Sequence, residues 1–323
     1  MRYPARVPHG IMFHHFHGGV HPRGQGSISG EDFAELLAFV GTERLLSPSE
    51  WLEKLRWGQL EEGDLCLTFD DALLCQFEIA LPVLERHGVQ AFWFVYSSVF
   101  EGQIGKLELY RWFRSTRFLD IEEFYRVFFH RVDESEFAGR ARVVQEAGAI
   151  AQRRASFPFY SDNDVKFRLI RDRALQPEHY ERIMDGLLQD YEVNVAEAAS
   201  GLWMNDQHLR YLSERGHAVG LHSYSHPTVL AGLPAERQAQ EYERNAAHLR
   251  RVCGGEAVAM AHPCNSYSTR TLDILRRLGI RCGFRSNMVP RREGERVNPD
   301  PLELAREDHA NIMRRLACGP VQR

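Results

Sequence analysis

Short apolar runs separated by helical patterns organise both ends of the chain. Ile11-Met12-Phe13 reads as a first strand, Leu65-Cys66-Leu67-Thr68-Phe69 as a second, and residues 90–95 as a third. Ser29-Gly30-Glu31-Asp32 opens a helix between the first two, with Phe33, Leu36, Leu37 and Val40 on one face. Phe77, Ala80, Leu81 and Leu84 repeat that spacing between the second run and the third. Ala218-Val219-Gly220-Leu221 is another short apolar run, and Leu302-Glu303-Leu304-Ala305-Arg306 reads as the last strand. This alternation predicts an α/β architecture with parallel strands.

Residues 105–200 break the alternation. Tyr110 to Phe113, Ile121 to Val132, Ala138 to Arg154 and Pro177 to Tyr191 all read as helices rich in Arg, Glu and aromatic residues. The pattern therefore divides the chain into a first α/β part (1–104), a helical insertion (105–200) and a second α/β part (201–323). The insertion is expected to cap the site and select substrate, with Ser161-Asp162-Asn163-Asp164 as a loop that reaches the pocket.

Composition narrows the function classes. The 323 residues are 44% hydrophobic and 26% charged, with a net charge of −4. Those values fit a globular protein and give no basic surface for nucleic acid. No window approaches the ~18–20 consecutive apolar residues of a membrane span. The first ten residues lack the apolar stretch of a secretory signal, and the six cysteines show no Cys-x-x-Cys spacing. A cytoplasmic location with reduced cysteines is the resulting expectation.

The chemistry concentrates in two motifs, Thr68-Phe69-Asp70-Asp71, which closes the run Leu65 to Phe69, and His222-Ser223-Tyr224-Ser225-His226-Pro227, which follows the run Ala218 to Leu221. One carboxylate and two imidazoles form a common ligand set for a divalent metal with an open position. A second carboxylate is then left to act as a base. Taken singly, an Asp-Asp pair is more often a turn and a His-x-x-x-His pair an ordinary packing pair. Together, at strand ends where α/β folds gather their sites, they point to one centre.

Both motifs resemble those of the NodB-type polysaccharide deacetylases, carbohydrate esterase family four. His87 to Val95, Leu209 to Gly220 and Leu272 to Ile280 are also similar to that family's second strand, its lead-in to the histidine motif, and the helix after its third motif. The resemblance implies a distorted, incomplete (β/α) barrel of about seven strands, here with a helical insertion. It implies Asp71, His222 and His226 as ligands of one divalent metal, with zinc favoured over cobalt, nickel or manganese. Asp70 then corresponds to the base that takes a proton from the attacking water.

The third motif departs from the family. Where Arg-x-Pro-Tyr or Tyr-Pro-Tyr-Gly is common, this chain reads Ala261-His262-Pro263-Cys264-Asn265-Ser266. The arginine that orients the base is missing at Ala261. Arg306 is its expected replacement, pairing with Asp70. His309, just past the presumed last strand, matches the place of the general acid, with His262 as its rival. His14, at the end of the first strand, together with His262, Cys264 and Asn265, is expected to line the substrate site, a backbone N–H near Cys264 serving the oxyanion. A thiol nucleophile at Cys264 with His262 as partner is disfavoured by their closeness in sequence.

The resulting expectation is a metal-dependent hydrolase that removes an N-acyl (acetyl) group from an amino sugar. A nucleotide- or lipid-linked precursor in surface polysaccharide synthesis is the expected substrate. The alternative is a non-catalytic sugar-binding or scaffold protein on the same fold, to which the broken third motif points. A non-haem iron oxygenase would share the two-His, one-carboxylate set but predicts an all-β fold, against the strand–helix alternation.

Overall fold

The computed structural model describes residues 3–144, 150, 161–290 and 294–317. Two compact units emerge, one from residues 1–105 and 201–323 and the other from 106–200. In the first, seven parallel strands form a nearly closed barrel with one seam, surrounded by helices. The strands are β1 (His9–Phe13), β2 (Leu65–Asp70), β3 (Phe92–Val95), β4 (Ala218–Leu221), β5 (Ala259–Ala261), β6 (Cys282–Phe284) and β7 (Arg306–Asp308). Their order is β6-β5-β4-β3-β2-β1-β7. β1, β2 and β3 are buried along their whole length, which is why they read as unbroken apolar runs.

The seam lies between β6 and β7, where a bridge from Phe284 to Leu304 partly closes it. Gly283 allows this approach. A Cβ there would stand 2.7 Å from the Leu302 carbonyl oxygen, whereas the glycine N–H donates to the Pro301 carbonyl at 2.8 Å. The last strand is not the expected 302–306 but Arg306–Asp308. Asp300 Oδ1 accepts from the Leu302 N–H and Asn298 Oδ1 from that of Ala305, so side chains take donors that a sheet ladder would need.

The first helix, Gly30–Val40, begins at a complete capping box in which Ser29 and Asp32 accept each other's backbone N–H. Phe33, Leu36, Leu37 and Val40 are fully buried on its inner face. Each such side chain contributes about 1.5–3 kcal/mol. The helical pattern after β2 starts as a π-turn, Gln76–Ala80, before continuing as Leu81–His87.

The second unit is helical: Lys106–Thr116, Ile121–Asp133, Ala138–Val144, Asp162–Leu169, Pro177–Asp190 and Val195–Ala199 are its described helices of α type. The expected helix from 138 to 154 is described only to Val144, its remainder falling outside the described residues apart from residue 150. Ser161-Asp162-Asn163-Asp164 is not a loop. Ser161 caps the helix Asp162–Leu169 in a second capping box, and Asp164 is buried, accepting the Tyr125 hydroxyl proton. Among the described residues no helix is long and apolar enough to cross a membrane.

Candidate metal centre

Asp70 and Asp71 end β2, and in regular strand geometry adjacent side chains would face opposite ways. The chain instead turns through the left-handed region at Asp71 (φ 78°) and Ala72 (φ 57°), while the Asp71 N–H still donates to the Phe94 carbonyl. Both carboxylates consequently reach one place: His14 Nε2 lies 3.7 Å from Asp70 Oδ2 and 3.8 Å from Asp71 Oδ2.

Asp71, His222 and His226 offer ligand atoms all within 4.8 Å of one another. His222 Nε2 and His226 Nε2 each stand 3.4 Å from Asp71 Oδ1. Ligands of one tetrahedral ion at ~2.1 Å would stand about 3.4 Å apart. Asp71 Oδ1 is buried and has no hydrogen-bond partner, an expensive state for a carboxylate oxygen unless a cation meets it. His222 Nδ1 donates to the Ala261 carbonyl at 2.8 Å, which fixes the tautomer and turns Nε2 towards Asp71. Ala261, where the family's arginine is missing, thus contributes its main chain. The donor set fits a divalent ion of the zinc kind.

Asp70 faces a different partner. Arg306, 1% exposed, donates from Nη1 and Nη2 to its two oxygens, each at 2.7 Å. The guanidinium is itself aimed by Nε, which donates to the Arg285 carbonyl at 2.6 Å. Burial alone would raise the Asp70 pKa, but Arg306 and then His222 outweigh it and hold the carboxyl below its usual range. Asp71 is likewise held well below, with burial opposed by His226, His222 and His14.

The remaining expected residues divide. His14 is near both carboxylates, and its side chain is 30% exposed. His309 begins the helix His309–Ala317, is 5% exposed, and presents its ring nitrogens to the Met12 and Gly26 carbonyls while stacking on Phe13. Its burial pushes the pKa down against the opposing pull of Asp308, whose Oδ1 lies 3.5 Å from Nδ1. His262 is also buried: Nε2 meets the Leu302 carbonyl, the ring stacks on Tyr267, and burial lowers its pKa to about 3. Cys264 is exposed, in a turn where it and Asn265 both have positive φ, and Asn265 Oδ1 accepts from the Ser286 N–H. Gln76 and Asn245 escaped sequence reading. Gln76 Nε2 donates to the carbonyls of His14 and Asp70, tying two strand ends together. Asn245 accepts the His222 N–H and donates to the Val95 carbonyl. Neither has a signal in the chain: Gln76 reaches back to His14 and Asn245 to Val95 and His222, all far away in sequence.

Residues 170–283 match the family model described as polysaccharide deacetylase. No curated protein matches the chain in sequence. Among solved structures, IcaB from Ammonifex degensii is 17% identical with a TM-score of 0.56, over 98% of each chain. The deacetylase PplD of Streptococcus pyogenes, solved with acetate, is 16% identical with a TM-score of 0.53, over 95% of this chain and 93% of that one. BC0361, a polysaccharide deacetylase from Bacillus cereus, is 11% identical with a TM-score of 0.51, over 97% of this chain and 68% of that one. At such identities the likeness establishes a shared fold. The matched segment contains the histidine motif and the divergent third motif, so this part of the chain is similar to polysaccharide deacetylases.

Proposed function

We propose that this protein is a metal-dependent amide hydrolase that removes an N-acetyl group from an amino sugar used in surface polysaccharide synthesis. The observation that carries the reading is the unpartnered Asp71 Oδ1, equidistant from His222 Nε2 and His226 Nε2. Asp71, His222 and His226 would hold a zinc ion, which would supply Lewis acidity towards the amide carbonyl and the attacking water. Asp70, kept ionised by Arg306, takes the proton of that water. Water oxygen bonds to the acyl carbon, the carbon–nitrogen bond breaks, and acetate and a free amine leave.

The leaving nitrogen needs a proton, and His14 is the better donor. It is the partly exposed imidazole beside both carboxylates, whereas His309 and His262 are turned towards main-chain carbonyls. Cys264 and Asn265 keep the proposed place at the substrate's acyl oxygen. A precursor-sized, nucleotide- or lipid-linked sugar handled in the cytoplasm belongs to the same proposal.

The test is acetate release from N-acetylated amino sugars offered free, nucleotide-linked, lipid-linked and polymeric. Release from one class, abolished by a chelator and restored by zinc, is the expected result. A zinc-loaded protein inert towards all four classes would overturn the reading.

A further inference from the structure

The helix Ala235–Cys253 turns an unusual face inward. Gln238, Glu241, Asn245 and His248 are all buried, at the i, i+3, i+7, i+10 spacing where an amphipathic helix carries apolar residues. Buried polar side chains are costly unless bonded. Three of these four bond the segment that begins at His222. Asn245 accepts the His222 N–H at 3.0 Å. Glu241 Oε2 accepts the N–H groups of Tyr224 at 3.1 Å and Ser225 at 2.8 Å, and its Oε1 accepts the Ser225 hydroxyl at 2.8 Å. Gln238 donates to the carbonyls of Leu233 and Ala231.

We propose that Glu241 is the positioning residue that sets His226 as a metal ligand; this rests on the metal reading of Asp71, His222 and His226. His222 needs no such help, because β4 and the carbonyl of Ala261 orient it. His226 has no regular element under it. Between the two imidazoles the chain enters the left-handed region at Ser223 (φ 64°) and again at His226 (φ 54°), conformations that are uphill for residues with a Cβ. A turn of that kind persists only when its surroundings over-determine it. Ser223 Oγ closes it from within by accepting the His226 N–H at 3.1 Å. Glu241 closes it from outside, and its carboxylate is suited to three converging donors because it presents acceptors only.

Zinc affinity of the full chain, measured by competition with a chromogenic chelator, tests this alongside thermal unfolding of the metal-free protein. Glu241→Ala leaves the buried Tyr224 N–H and the part-buried Ser225 N–H without their acceptor and should weaken zinc binding by about 10–100-fold. Glu241→Gln should recover most of the loss, since its amide oxygen can take both N–H groups and its NH₂ can donate to the Ser225 hydroxyl. Leu249→Ala, on the same helix but facing the apolar core, should lower the melting temperature but leave affinity unchanged. Equal affinity in Glu241→Ala and the native chain, or an equal loss in Leu249→Ala, would overturn the proposal. If Glu241→Ala does not fold, Ser225→Ala takes its place, with a several-fold loss expected and an unchanged affinity overturning it. A native chain that binds no zinc would instead remove the metal reading, and this inference with it.

Discussion

The two units bury different chemistry. The helical unit packs Tyr110, Phe113, Phe124, Tyr125, Phe128 and Phe167 into an aromatic core, with the Arg114 guanidinium lying over the rings of Phe124 and Phe167. Among its described residues Asp164 is the one buried carboxylate, and the Tyr125 hydroxyl meets it. The barrel unit buries Asp70, Asp71, His222, His262, Arg285 and Arg306. Removing charges from water is costly, and replacing buried ion pairs with apolar residues is often neutral or stabilising. A barrel that keeps so many does so at some expense in stability, and it keeps several of them at the carboxyl ends of its strands. The helical core is built from apolar and aromatic packing instead.

That contrast can be broken in several places. The largest effect belongs to Asp70→Asn, which should lower the rate of acetate release by about 10²–10⁴ while zinc content stays near native. Loss of zinc from Asp70→Asn, with zinc retained in Asp71→Asn, would exchange the roles of Asp70 and Asp71. Arg306→Leu comes next. It strands a buried carboxylate and should cost about 3–5 kcal/mol of unfolding free energy in denaturant titrations near neutral pH. Without Arg306, burial dominates and raises the Asp70 pKa, so the acidic limb of the rate profile should move to higher pH. An unmoved limb would mean that another group keeps Asp70 ionised.

Phe128→Ala sharpens the other side of the comparison. It should destabilise the helical unit by about 3–5 kcal/mol and leave zinc affinity untouched. A matching fall in affinity would show that the two interiors are not separable. The smallest effect concerns protons. Burial lowers the pKa of His9 and His217 to about 4 each. The folded state keeps both neutral, whereas the unfolded chain protonates them near ~6.5. Stability should therefore be full above about pH 6.5 and fall as the pH drops towards 4. Replacing His217 with Gln should flatten that fall by about one proton, and an unchanged slope would assign the acid sensitivity elsewhere.

How much of this was legible depended on whether partners were local. β1 to β3 showed in the chain because parallel strands buried on both faces must be continuously apolar, and the carboxylates of the first motif stand where such a run stops. The pairing of Arg306 with Asp70 could be expected from the family's layout, although Arg306 starts its strand rather than ending it. The strand itself was misplaced because Asn298 and Asp300 occupy backbone donors that periodicity does not register. Ser161 to Asp164 looked like a loop for the reason that makes it a helix start: polar residues at that spacing cap each other. His309 lies near the expected place in the chain, but Phe13 and the Met12 and Gly26 carbonyls decide where its ring points. Gln76, Glu241 and Asn245 could not be found at all, because their roles exist only once β1, β2 and β4 are assembled.

The central claim is that Asp71, His222 and His226 hold one divalent ion. Elemental analysis of zinc-loaded, desalted protein tests it most directly, comparing the native chain with His226→Ala and Asp71→Ala. About one zinc per native chain is expected, and little or none in either variant. Variants that keep as much zinc as the native chain would contradict it.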